Sequence, residues 1–76
     1  MLSAALEHLV KGIVDHPDEV AVRSSTSPRG EVLEVRVHPD DRGRVIGRGG
    51  RTAKALRALV TALADGARVR VDVADD

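Results

Sequence analysis

Not one phenylalanine, tyrosine or tryptophan occurs in the 76 residues of the chain. The interior must therefore be assembled from Val, Leu, Ile and Ala, and recognition of RNA by stacking bases on aromatic rings is excluded. Cysteine is absent too, which removes disulfides, thiolate metal sites and thiol nucleophiles together. No apolar run approaches the roughly 20 residues that cross a bilayer, and no signal-peptide pattern opens the chain. The expectation is a soluble, cytoplasmic protein with no membrane association. His8, His16 and His38 stand at no metal-ligand spacing and read as surface or cap residues. Asp40 and Asp41 resemble paired carboxylates, but a place at a helix start accounts for them. No catalytic constellation appears, so neither enzyme activity, cofactor nor metal is expected. A chain this short makes one domain, residues 1–76, and buries only about 60–65% of its unfolded surface.

Net charge is zero, with 12 basic and 12 acidic residues, yet the two signs are segregated. Residues 42–64 hold Arg42, Arg44, Arg48, Arg51, Lys54 and Arg57 and no acid. The compensating acids include Asp15, Asp18, Glu19, Asp72, Asp75 and Asp76. At physiological salt, screening confines such charges to about 8–10 Å, so the local excess matters more than the total.

The centre of that basic region is Val45-Ile46-Gly47-Arg48-Gly49-Gly50-Arg51-Thr52. Gly47 and Gly50 frame a G-x-x-G turn with an apolar pair before it and an amphipathic helical run after it. Glycines let the backbone turn tightly and present N–H groups to a ligand. A helix starting at Arg51 adds its free N–H groups and positive dipole end at the same place. Together these features make a seat for phosphate. Nucleotide-enzyme motifs fail on spacing. A P-loop ending in Gly50-Arg51-Thr52 needs a glycine at position 45, which is Val45, and a lysine where Arg51 stands. A dinucleotide fingerprint starting at Gly47 needs a glycine at position 52, which is Thr52.

Apolar periodicity supplies the elements. Leu2, Leu6, Leu9, Val10, Ile13 and Val14 recur at helical spacing until Pro17. Val20 and Val22 begin a short strand. Residues 24–30, with Ser24, Ser25, Thr26 and Ser27 ahead of Pro28 and Gly30, read as a hairpin loop. Leu33, Val35 and Val37 alternate as a second strand. Pro39 introduces a short helix capped by Asp40 or Asp41 and ending near Gly47. Leu56, Leu59, Val60 and Leu63 give the next helix its apolar face, Asp65-Gly66 ends it, and Val69, Val71 and Val73 alternate as a last strand. The order is α-β-β-α-α-β. An antiparallel hairpin is joined by a two-helix crossover to a strand parallel with the second. Arg23, Glu34, Arg36, Arg68, Arg70 and Asp72 fall on the sheet face away from the valines.

The stretch Gly43-Arg44-Val45-Ile46-Gly47-Arg48-Gly49-Gly50-Arg51 resembles the V-I-G-x-x-G pattern of KH RNA-binding modules, whose glycine loop clamps a short run of nucleotide backbone. Residues 14–20, the Pro39-Asp40-Asp41 helix start and residues 51–57 extend the likeness, over nearly the whole chain, to the small stand-alone bacterial KH proteins of the KhpA family. The resemblance implies an α+β, type II KH domain: a three-stranded mixed sheet covered on one face by three helices. It implies a single-stranded RNA-binding protein, an RNA chaperone or post-transcriptional regulator, working with a larger KH-containing partner of the KhpB type and in some bacteria tied to cell shape. Gly47, Arg48, Gly49, Gly50, Arg51, Arg44, Lys54 and Ile46 are the RNA-binding candidates. Arg29 joins them, on an opposite wall formed by the hairpin loop and strand 33–37. Ala53 departs from the isoleucine common in KH grooves and makes a shallower floor. A second reading is a protein-interaction or dimerisation module whose Gly47–Gly50 surface packs on another KH domain; the small-residue surface near Ala53, Ala55 and Ala58 also suits packing against another copy, as a homodimer, or a related domain.

Overall fold

The computed structural model describes residues 2–74. Helix α1 (Leu2–Lys11) is followed by the hairpin β1 (Ala21–Ser27) and β2 (Gly30–Arg36), the helices α2 (Arg42–Ile46) and α3 (Arg51–Leu63), and strand β3 (Val69–Val73). Short 3-10 turns at Pro17–Glu19, Pro39–Asp41 and Arg48–Gly50 connect them. The sheet order is β1-β2-β3, with β1 antiparallel and β3 parallel to β2. The α+β architecture and mixed three-stranded sheet expected from the sequence are the ones observed.

Register explains the core. Val22 lies opposite Val35, Leu33 opposite Val71, and Val35 opposite Val73, so these side chains share one sheet face. Against it pack Leu6 and Val10 of α1, Val45 of α2, and Leu56 and Val60 of α3, all buried. The other face carries Arg23, Glu34, Arg36, Arg70 and Asp72. Within it Arg36 pairs with Glu34 at 3.3 Å and Arg70 with Asp72 at 3.1 Å.

Three local expectations are corrected. Helix α1 stops at Lys11 rather than near Val14, because Gly12 and Ile13 turn back with N–H bonds to the Leu9 and Val10 carbonyls at 3.2 and 3.0 Å. Ile13 and Val14 still pack on the core from the turn. Residues 24–27 are strand, not loop: Ser24 pairs with Leu33 and Ser27 with Gly30, leaving Pro28-Arg29 as a two-residue turn. Pairing with the apolar β2 overrides the loop preference of serine. The turn is held by the Ser27 hydroxyl, which donates to the Gly30 carbonyl at 3.1 Å and accepts the Arg29 N–H at 3.3 Å. Finally, the apolar face of α3 is split. Ala53, Leu56 and Val60 are buried, whereas Leu59 is 49% and Leu63 57% exposed, because those apolar positions span a wider arc than one sheet face covers.

Candidate nucleic-acid interface

The apolar dipeptide before the glycine turn divides its work. Val45 is wholly buried and fixes α2 to the core, while Ile46, 41% exposed, faces out. At Gly47 the chain leaves α2 with φ 78° and ψ 165°, its N–H bonded to the Gly43 carbonyl at 2.8 Å. A Cβ there would lie 2.3 Å from the Thr52 hydroxyl oxygen and 2.7 Å from the Thr52 backbone nitrogen. Conformation and space therefore both demand glycine at this position. Gly49, at φ 66°, needs glycine for its conformation only, since nothing lies within 4 Å of where its Cβ would be. The result folds the loop back against the first turn of α3. That helix opens at Gly50 with no side-chain cap and no acid in its first turn, so its positive end is uncompensated.

Beside the loop is a cavity of about 500 Å³. Ile46 and Ala53 give it an apolar floor; Gly50, Lys54 and Arg57 line the helical side, and Asp72 and Val73 of β3 the opposite side. Arg57 spans the two sides, its Nε donating to the Val71 carbonyl at 3.0 Å. Arg48, Arg51 and Lys54 are exposed and make no ion pair among the described residues. The helical side is cationic, and the strand side carries the Asp72 carboxylate.

The family described as KhpA/KhpB, KH domain, matches residues 3–74. The chain belongs to this family. The "RNA-binding protein KhpA" of Leifsonia xyli subsp. xyli is 78% identical over 76 residues, with both chains covered in full. The protein of that name from Streptomyces coelicolor is 67% identical, over 99% of this chain and 94% of its own. That from Mycobacterium tuberculosis is 63% identical, over 93% of this chain and 88% of its own. None of these names is that of an enzyme. No solved structure matches the chain.

For a KhpA/KhpB-family KH domain, the structure brings most of the sequence-derived candidates together. Gly47, Arg48, Gly49 and Gly50 form the loop, Arg51 and Lys54 follow on α3, and Ile46 lies under it. Arg44 is diverted: its guanidinium pairs with Asp15 at 3.3 Å, toward the α1–β1 connection. Arg29 is not at this groove. It sits on the hairpin turn beside a separate cavity of about 410 Å³, at the Val69 end of β3. The expected opposite wall is corrected accordingly. Residues 33–36 belong to the central β2, which ends at Arg36, with Leu33 and Val35 fully buried, and the edge strand β3 faces the groove instead. Arg57 was not among the candidates, although its spacing of three from Lys54 places it on the same side of α3.

The helix-cap expectation for the acids also changes. His38 does the capping, its Nδ1 accepting the Asp40 N–H at 3.1 Å. Asp41 is buried and reaches away, accepting the Asp15 and His16 N–H groups at 3.1 and 3.0 Å and bonding His16 Nδ1 at 3.0 Å. Burial pushes the Asp41 carboxyl up, but the N–H of Asp15 and the ring and N–H of His16 outweigh it, holding the carboxyl below its usual range. The bond to Asp41 raises the His16 imidazole; burial opposes this, and the charges of Asp41, Glu19 and Asp40 support it. The His16 ring stacks on His38 with centroids 4.0 Å apart. His16, His38 and Asp40 place ligand atoms within 4.8 Å of one another, a grouping that spacing along the sequence conceals. Parallel stacked rings aim their lone pairs in separate planes, however, and His38 Nδ1 is already an acceptor. The cluster therefore clasps the start of α2 to the α1–β1 connection rather than converging on an ion. The repeated tripeptide His16-Pro17-Asp18 and His38-Pro39-Asp40 is the sequence signal that marks its two halves.

Proposed function

We propose that this protein binds single-stranded RNA, with the loop Gly47–Gly50 closing on the sugar–phosphate backbone. The observation that carries this reading is the glycine turn itself. It sets the uncapped start of α3 and three cations with no ion-pair partner among the described residues, Arg48, Arg51 and Lys54, beside an apolar-floored groove. Relatives named RNA-binding protein KhpA support it. Phosphates lie on the cationic side, against Arg48, Arg51, Lys54 and the free guanidinium nitrogens of Arg57. Bases turn toward Ile46, Ala53 and the β3 side, where Asp72 disfavours phosphate. The small Ala53 offers little shape to discriminate bases, which suits backbone-led binding of many RNAs, as an RNA chaperone or post-transcriptional regulator requires. A KhpB-type protein is the proposed partner, on the strength of the family that the two share.

The test replaces Arg48 and Gly49 together by Asp. Both are exposed, and Gly49 has open space for a side chain. Labelled-RNA titration should show binding lost while circular dichroism shows the fold retained. Unchanged affinity in the folded variant would eliminate the clamp.

A second reading, homodimerisation, is favoured by one observation. Leu59 and Leu63 are half-exposed on α3, on a side of the helix away from the groove, in line with Ala55. Ala53, offered by the sequence as part of such a surface, is buried at the groove floor instead.

A further inference from the structure

Away from the glycine groove, cations collect at the opposite end of β3. The cavity of about 410 Å³ there is bordered by Arg29 on the hairpin turn, by Arg68 and Arg70 at the start of β3, and by Thr61 of α3, with Val32 and Val69 between them. Glu31 also borders it, but its carboxylate accepts the Ser24 hydroxyl. Three guanidinium groups thus face one carboxylate. Arg70 is engaged with Asp72, while Arg29 and Arg68 are exposed and make no ion pair among the described residues. The backbone beneath them is fixed, because the Glu31 N–H bonds the Arg68 carbonyl at 2.9 Å and ties the hairpin to the start of β3. A volume in the range of small-ligand sites, with aliphatic walls and arginines around it, fits a nucleobase with its phosphate.

The two cavities share no lining residue but lie toward opposite ends of β3. Both lie between β3 and the same side of α3, where Lys54, Arg57 and Thr61 follow at spacings of three and four. From Val69 to Val73 the strand advances about 13 Å. That distance corresponds to about four stacked nucleotides at roughly 3.4 Å each. We propose that the cleft at the hairpin end is a second nucleotide seat for the RNA strand held in the glycine groove. Arg29 and Arg68 contact a phosphate there, and Val69 supports the base. This rests on the RNA reading above and extends its footprint from about four nucleotides to about eight.

The test compares labelled oligouridylates of four and ten nucleotides on the wild type, on Arg29→Ala/Arg68→Ala and on Arg29→Lys/Arg68→Lys. The wild type should bind the ten-mer about tenfold more tightly than the four-mer. The alanine pair should leave four-mer binding unchanged and lower ten-mer affinity about tenfold. Its ten-mer log–log salt slope should shrink by about 0.7, the value for one phosphate on a single strand, and the lysine pair should restore it. An NMR titration of the unmodified protein gives a second readout: amides 67–70 should shift with the ten-mer and not with the four-mer. If the alanine pair binds the ten-mer as the wild type does, or those amides stay still, the second seat is wrong while four-mer binding keeps the clamp. If the wild type binds neither oligonucleotide, both readings fall.

Discussion

Gly47 and Gly49 share a positive φ, 78° and 66°, but differ in ψ, 165° against 18°, and substitution at the two should cost different amounts. For a non-glycine residue the left-handed region costs about 1–2 kcal/mol. Gly49→Ala should lose about that much, since its side chain would enter open space. Gly47→Ala is forced into an extended positive-φ conformation that essentially only glycine adopts and also drives a methyl into the Thr52 backbone, so it should lose more than twice as much. Urea unfolding followed by circular dichroism separates the two; equal losses would show that the loop is not packed on Thr52. The His16–Asp41 bond makes a pH prediction. His16 titrates above its ordinary 6.5 in the folded state, so its contribution is complete below 6.5 and is lost as pH rises through the folded value. Asp41 titrates below its ordinary 3.8, so its contribution holds above that value and is lost as pH falls through the folded one. Stability should therefore peak between about pH 4 and 6.5 and decline toward pH 8. In His16→Gln the decline toward pH 8 should be absent. A urea midpoint with the same slope in both proteins would refute the clasp.

Among the elements, α3 shows how far the sequence could be read. Its start at Arg51, its glycine entry and its cations were all legible, because glycine and charge act locally. Its burial was not, because the sequence gives one apolar arc and the fold assigns it two destinations: Leu56 and Val60 to the sheet, Leu59 and Leu63 to the surface. The same limit explains the strand at 24–27, where serines look like loop until β2 supplies a partner. It also explains the hidden histidine stack, whose members are 22 positions apart (38 − 16) and meet only through tertiary structure. The groove wall was misplaced for a topological reason: β2 precedes the glycine loop in sequence but is the central strand, and of the two edge strands, β1 and β3, it is β3 that borders the groove. At this scale the charge count gives a further expectation. A groove that meets three or four phosphates, at about 0.7 each, should give a four-nucleotide ligand a log–log salt slope of roughly −2 to −3. Binding should favour unpaired RNA over duplex. A slope near zero, measured by titration across salt concentrations, would mean that Arg48, Arg51 and Lys54 do not contact phosphate.

For the molecule as a whole, the arrangement of α3 decides what assembly is compatible with RNA. One side of the helix, Ala53, Leu56 and Val60, is used by the core; a second, Lys54, Arg57 and Thr61, borders β3; the third, Ala55, Leu59 and Leu63, is free apolar surface. Pairing through the third side leaves both grooves open. Two short grooves then act on one RNA through effective concentration, which raises affinity without any new contact to the RNA. The third side is also narrow. Thirteen residues of helix run about 20 Å, so a stripe along it supplies less than the roughly 800 Å² per partner of a standard stable interface. The expected homodimer is consequently weak and dissociates on dilution, which leaves the same surface available to a related KH domain. Light scattering coupled to size exclusion, run over a hundredfold concentration range, should show mass rising toward the dimer in the wild type. Leu59→Glu/Leu63→Glu should remain monomeric and folded, bind a four-nucleotide RNA as the wild type does, and lose affinity only for RNA long enough to reach two grooves. A wild type that stays monomeric throughout, or a double variant that dimerises unchanged, would remove α3 from the assembly and leave the single groove to account for all binding.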